Sequence, residues 1–445
     1  MLFTILVLNL SLRCDTIRFC GRKYMNVIDK LKKHVLVDGF HVVVDTKKSH
    51  ESWIVEEGTG KEYLDCYSQF ASQPLGWNHP AMEIYKELIA DAAMHKIANS
   101  DMYSKTYADF VEAFAEVTPD FEHYFFIDGG ALAVENALKA AFDWKVQRED
   151  CRTAILDVIH LKEAFHGRTG YTMSLTNAGE AWNDDTNMKT KWFPRFNWTR
   201  VTNPKIRFPM EEARVGNLEK LALQEMEEAF NTKTVAAIII EPIQGEGGDS
   251  HFRPEFFQTL RRLADENEAM LIFDEVQTGL GLTGKMWAYE HCGVVPDMMC
   301  FGKKTQVCGF CSTGRIDEVE NNVFAQSGRI NSTWGGNVAD MARSRAYLKI
   351  IQETNLVERA AQTGAYFLEQ LQKLDSEEVS NVRGKGLMLA FDLPTTERRG
   401  EIVTKLSENM MVLTCGANGI RFRPHLTFTN SDVDKAVGFI KEALK

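Results

Sequence analysis

At 445 residues the chain passes the ~250–300 at which one hydrophobic core stops growing, so a large domain and at least one smaller one are expected. Hydrophobic residues at 44% and charged residues at 25% suit a water-soluble globular protein, and a net charge of −11 argues against nonspecific nucleic-acid binding, which needs a cationic surface. Nine cysteines, an odd count, fit reduced thiols in a cytoplasmic protein rather than a disulfide framework.

The apolar run 3–12 is broken by Asn9 and Ser11, is about half the ~20 residues of a membrane span, and has no Lys or Arg before it. Residues 1–24 therefore read as an appendage or an over-extended start, with no membrane association. Short strands are expected at 42–44 and 53–55, with Gly58-Thr59-Gly60 as a turn. A strand at 124–127 precedes a helix over 131–145, in which Val134, Leu138, Ala141 and Lys145 recur at helical spacing. Residues 154–159 form the next strand, and 235–240 read as a strand buried on both faces. Pro254 opens a helix to about 268. Strands follow at 270–273 and 298–301.

This alternation predicts an α/β large domain with a mostly parallel sheet and ligands at the carboxyl ends of its strands. Beyond about residue 340, helices at 339–353 and 356–374, strands at 387–391 and 419–422, and a helix at 432–444 predict a small α+β domain. The expected division is an appendage (1–24), a segment packing with the small domain (25–85), the large domain (86–338) and the small domain (339–445).

Four polar motifs fall just beyond strand ends. Gly129-Gly130-Ala131 opens a helix whose backbone N–H groups could seat a phosphate, or else is a tight turn. Phe165-His166-Gly167-Arg168 offers an aromatic face and a guanidinium suited to a carboxylate; His166 is given no role. Asp274 ends an apolar strand, where a carboxylate is costly unless paired. A protonated pyridine nitrogen would be such a partner, and would make the ring an electron sink. Lys303-Lys304 follows the strand at 298–301, and an amine there can form a Schiff base if its pKa is depressed. Cys308-Gly-Phe-Cys311 has redox or zinc spacing, but no second ligand pair accompanies it. It reads as small buried residues, and no metal is expected.

A phosphate seat, a ring stacker, an acid and an amine together are what pyridoxal 5′-phosphate chemistry requires. At this point residues 25–445 resemble the class III (ω-)aminotransferases of fold type I. The segment 129–139 is similar to the family's phosphate cup, but has Gly129 and Ala131 where hydroxyl residues are common, so Gly130 and Ala131 would hold phosphate through their backbone. The resemblance implies that Phe165 covers the cofactor ring, Asp274 meets its nitrogen, Gln277 lies near its hydroxyl and Lys303 carries it covalently. Residues 241–246 (Glu-Pro-Ile-Gln-Gly-Glu) resemble the family's glutamate motif. Asn331-Ser-Thr-Trp-Gly-Gly336 resembles the segment whose threonine, here Thr333, reaches the phosphate of the other subunit of a homodimer; Asn331 is carried over as a substrate contact. Arg421-Phe-Arg-Pro resembles the segment bearing the substrate arginine. In the family a glutamate covers that arginine in one half-reaction and releases it in the other. Glu246 and Arg421 match that pair, leaving Arg168 for a distal carboxylate.

The phrases at 129–145, 251–257 and 301–309 are similar to the branch of the class that acts on the ε-amino group of L-lysine. They imply transfer to 2-oxoglutarate, giving L-glutamate and 2-aminoadipate 6-semialdehyde. Ornithine and 4-aminobutyrate are alternative donors on the same fold. Residues 178–235 carry little resemblance. A different class is suggested by Gly279-Leu-Gly281-Leu-Thr-Gly284, a literal nucleotide-binding glycine pattern, but Met286 stands where a P-loop needs Ser or Thr.

Overall fold

The computed structural model describes residues 27–149, 155–178 and 189–445; the expectation for residues 1–24 lies outside them. Trp53–Val55 (β1) and Glu62–Asp65 (β2) pair antiparallel around the expected turn, where Gly58 and Gly60 both have positive φ. The expected strand at 42–44 does not form. Val44 makes only an isolated bridge to Glu56, and Val42 and Val44 serve instead as apolar packing against Ile54, Tyr63 and Met411.

Seven strands build the main sheet: His123–Ile127 (β3), Asp157–Leu161 (β4), Arg200–Val201 (β5), Val235–Ile240 (β6), Met270–Asp274 (β7), Met298–Phe301 (β8) and Cys308–Ser312 (β9). Their order is β3-β9-β8-β7-β6-β4-β5. β4 to β8 pair in parallel, while β9 runs against both its neighbours. Side chains alternate across a strand, and the central strands show it. Ile238, Ile240, Leu271, Phe273, Met299 and Phe301 face one core, which includes Phe256, Phe257 and Leu260 of helix Pro254–Glu266. Ala237, Ile239, Met270, Ile272, Met298 and Cys300 face the other, filled by Val134, Leu138 and Trp144 of helix Gly130–Glu149. This two-sided burial makes the three strands continuous apolar runs.

The Cys308–Cys311 pair lies in β9 with both thiols free, Cys311 buried in the sheet. Helix Glu212–Phe230, in the stretch of little resemblance, covers part of the first core through Ala222 and Met226.

The C-terminal part contains Ser380–Lys385 (β10), Met388–Asp392 (β11), Met410–Met411 (β12), Leu413–Cys415 (β13) and Gly419–Phe422 (β14). Four of these form an antiparallel sheet, β10-β11-β14-β13, and β12 joins β1 and β2 in a three-stranded one. A separate core of Phe367, Leu389, Phe391, Phe422 and Ile440 unites this sheet with helices Leu356–Gln372 and Asn430–Leu444. Helix Val338–Glu353 packs the other way: Met341, Leu348 and Ile351 belong to the main core. Among the described residues no helix is long and apolar enough to cross a membrane.

Candidate active site

The carboxyl ends of the parallel strands open into a cavity of about 770 Å³. It is lined by Gly130 and Ala131 after β3, by Phe165 and Arg168 after β4, and by Glu246 in the loop after β6. Asp274 and Gln277 come from the end of β7, Lys303 from just after β8, and Arg421 from β14 of the second sheet. One cavity thus gathers nine of the residues singled out above. Asn331 and Thr333 are not in it: both are exposed on their own chain, where the Thr333 carbonyl accepts a hydrogen bond from Ser100 Oγ (3.1 Å).

Asp274 is the floor of the site. It is buried, its Oδ2 lies 2.8 Å from His166 Nδ1, and its Oδ1 accepts the Val276 N–H at 3.1 Å. His166, a loop histidine in the sequence, is therefore the carboxylate's brace. The signal for it was its position beside Phe165 in a loop that must fold under a strand end. Glu241 is a second residue left without a role. Its two oxygens accept the N–H groups of Phe165 (3.0 Å) and Gly245 (2.9 Å), so it ties the aromatic loop to the loop that carries Glu246. Burial pushes its carboxyl up to about 7, with the neighbouring His166 opposing.

The two adjacent lysines separate cleanly. Lys303 lines the cavity, and burial pushes its amine down against the pull of Asp274. Lys304 points away and donates to the Ala71 carbonyl at 2.8 Å. That carbonyl ends a turn, Ser68–Ala71, whose four residues all have left-handed φ (40 to 64°), a conformation costly for any residue with a Cβ. Asp65 Oδ1 accepts the Ser68 N–H (2.6 Å) and Gln306 Nε2 donates to the Ser72 carbonyl (2.8 Å), so the turn is clamped along the cavity wall.

At the opposite side, Glu246 Oε2 accepts from Arg421 Nη2 at 2.7 Å. Arg421 is almost fully buried, and its Nε and Nη1 have no hydrogen-bond partner among the described residues. Such atoms are expensive to bury unless a ligand supplies acceptors. Glu246 Oε1 is paired with Lys189, from the stretch of little resemblance. Against the upward push of burial, Arg421 and Lys189 together hold the Glu246 carboxyl at about 2. No periodic pattern marked Lys189.

The donor set fits a phosphorylated pyridine aldehyde. Helix Gly130–Glu149 begins at the cavity and follows Gly129, whose φ of 112° requires glycine. Its first N–H groups lack helical partners and suit a phosphate. Phe165 supplies a ring face, Asp274 an acceptor for a protonated ring nitrogen, and Lys303 an amine. The glycine pattern at 279–284 serves packing instead. A Cβ on Gly279 would come within 2.5 Å of Trp287, and one on Gly284 within 2.8 Å of Ala361, while Leu280 and Leu282 are buried between them.

Residues 36–444 match the family model for class-III aminotransferases. The chain is 47% identical, over 94% of its length and 95% of the relative's, to an L-lysine-epsilon aminotransferase of Mycobacterium tuberculosis. It is 46% identical, over 93% and 92%, to one of Streptomyces clavuligerus. The solved structure of a lysine aminotransferase from M. tuberculosis in the internal aldimine form superposes with a TM-score of 0.89 at 47% identity, covering 94% of this chain and 98% of that one.

Proposed function

We propose that this chain, which belongs to the class-III aminotransferases, moves the ε-amino group of L-lysine to 2-oxoglutarate. It is an aminotransferase of fold type I, and its cofactor is pyridoxal 5′-phosphate. The products of the proposed reaction are L-glutamate and 2-aminoadipate 6-semialdehyde, which cyclises to piperideine-6-carboxylate. The observation that carries the reading is the Glu246–Arg421 pair: a buried guanidinium with free donors, covered by a carboxylate, in the same cavity as Lys303 and Arg168.

When bound, the cofactor supplies an electrophilic carbon and an electron sink. The chain supplies the rest. The N–H groups of Gly130 and Ala131 would hold the phosphate, with Thr333 of a second copy of the chain as a further ligand, and Phe165 would cover the ring. Gln277 meets the ring hydroxyl. Asp274, braced by His166, holds a proton on the ring nitrogen. Lys303 Nζ would be the amine that anchors the cofactor and would move the proton to and from the reacting substrate carbon. Lysine enters with its ε-amine inward and its carboxylate on Arg168, Asn331 contributing from the rim. Its aliphatic chain passes a neutral Glu246–Arg421 pair. 2-Oxoglutarate needs a cation for the carboxylate beside its keto carbon, and Arg421 becomes that cation when Glu246 moves aside.

A homodimer with shared sites is supported by the exposure of Thr333 outside its own cavity and by the exposed Met102, Tyr103 and Trp334 side chains. A cytoplasmic location is supported by cysteines that are free among the described residues.

The test is donor competition. Purified enzyme receives 2-oxoglutarate with L-lysine, L-ornithine or 4-aminobutyrate in turn, and glutamate and the aldehyde are measured. The highest kcat/KM with lysine, yielding the cyclised semialdehyde, supports the reading; a preference for ornithine or 4-aminobutyrate sinks it.

A further inference from the structure

We propose that Lys189 is a positioning residue for the acceptor half-reaction: it is the second seat of the Glu246 carboxylate, taken when a substrate carboxylate occupies Arg421. The inference deepens the proposed function and rests on it.

Glu246 has a different cation on each oxygen, Arg421 on Oε2 and Lys189 on Oε1. The two cations are unlike in their surroundings. The Arg421 side chain is 2% exposed and sits on β14, where the backbone is paired on both sides by β11 and β13. The Lys189 side chain is 23% exposed and lies outside any strand or helix. Glu246 is held between a buried cation on a paired strand and a partly exposed one on a loop.

The backbone at Glu246 is itself tethered, its carbonyl accepting the Gly416 N–H at 2.9 Å. A shift of the carboxylate is therefore a side-chain rotation, with no need for the loop to move. Where it lands decides the cost. An incoming dicarboxylate brings two negative charges to a cavity whose Arg421 has just lost its cover. A Glu246 carboxylate released without a partner would stand as a third, half-buried and repelled by the other two. Lys189 removes that penalty, because the carboxylate keeps one ion pair throughout.

Lys189 Nζ also lies 5.6 Å from the centre of the Phe165 ring, and the Arg168 guanidinium 5.8 Å from the same centre. Lys189 is thus close enough to the cofactor-covering ring for a rival role, as a direct ligand of a substrate carboxylate. The experiment must separate the two.

Holoenzymes of wild type, Lys189→Met, Lys189→Arg, Glu246→Gln and the Glu246→Gln/Lys189→Met double variant are followed through each half-reaction by rapid-mixing absorbance. Lys189→Met is expected to weaken apparent 2-oxoglutarate binding about tenfold, with a clearly smaller effect on the lysine half, and Lys189→Arg to recover most of the loss. In the Glu246→Gln background the same Met substitution should cost less than about twofold, since the residue acts through Glu246. A full tenfold loss in that background would make Lys189 a direct substrate ligand and overturn the proposal. So would equal damage to both half-reactions, or no recovery with arginine. The wild-type traces judge the substrates independently: if wild type fails to react with lysine or 2-oxoglutarate, the proposed function fails, whatever the variants do.

Discussion

His166 Nδ1 stands 2.8 Å from Oδ2 of Asp274, with both side chains buried at the end of β7. The carboxylate is aimed into the cavity by this contact and by the Val276 N–H, not by its own rotamer alone. Asp274→Asn should lower kcat on the order of 10²–10³-fold while some cofactor stays bound, because an amide cannot hold the proton on the ring nitrogen. His166→Gln should lower kcat about tenfold and shift the visible absorbance of the holoenzyme. Unchanged turnover in Asp274→Asn would make that carboxylate structural.

Borohydride reduction of the holoenzyme followed by peptide mapping should place the cofactor on Lys303. Lys304→Met should still be labelled at Lys303 but lose about 1–3 kcal/mol of stability, since the Ala71 carbonyl and its left-handed turn lose their buried donor. Label on Lys304 would reverse the assignment.

Glu246→Ala should act unevenly. It uncovers Arg421 beside the aliphatic chain of lysine, so the lysine half-reaction slows; binding of glutamate and 2-oxoglutarate is spared or tightened. Single-turnover spectra of each half-reaction read this, and damage confined to the oxoglutarate half would contradict the Glu246–Arg421 switch.

Two buried histidines should cost stability in acid. His251 and His425 are both pushed down to about 3 from 6.5, chiefly by burial, with Arg383 adding at His251 and Asp432 opposing at His425. Between those values the unfolded chain binds protons that the folded chain refuses, so these histidines cost stability as pH drops below about 6.5, with a combined slope of up to about 3 kcal/mol per pH unit. The Glu241 and Glu275 carboxyls, both pushed up to about 7 by burial, oppose them down to the ordinary carboxylate range, below which the histidine loss stands without that offset. Urea midpoints at several pH values would measure it, and His425→Gln should flatten the dependence even if it lowers the midpoint itself.

Thr333→Ala should weaken cofactor retention on dilution, because the proposed phosphate contact crosses between subunits and links affinity to assembly. A wild-type monomer with full activity in sedimentation at assay concentration would remove the basis for a shared site.

Much of this molecule is readable before it folds. Val235–Ile240 and Met298–Phe301 occupy the spans their composition predicts, because a strand buried on both faces leaves an unbroken apolar run. The motifs at Gly130, Phe165, Asp274 and Lys303 were legible because each lies at the carboxyl end of its strand, and a parallel sheet brings those ends to one edge even though the strand order does not follow the chain. Residues 42–44 form no strand, because their backbone pairing stops at the Val44–Glu56 bridge while Val42 and Val44 are taken up in packing.

The rest depended on packing between distant segments. Lys189 and Glu246 are 57 residues apart, and Glu246 and Arg421 are 175 apart. No local periodicity encodes either pair. The first joins two loops of the main sheet, and the second exists only because the second sheet, bearing Arg421, docks over those loops. The same holds for His166, whose partner is 108 residues away, and for the choice between Lys303 and Lys304, decided by a turn at Ser68–Ala71 that only the folded chain brings near. Sequence by itself determined which chemical groups are present and which strand ends carry them, since both follow from local pattern. Tertiary structure alone decided which charges face one another, because an ion pair is set by distance in space and not by separation along the chain.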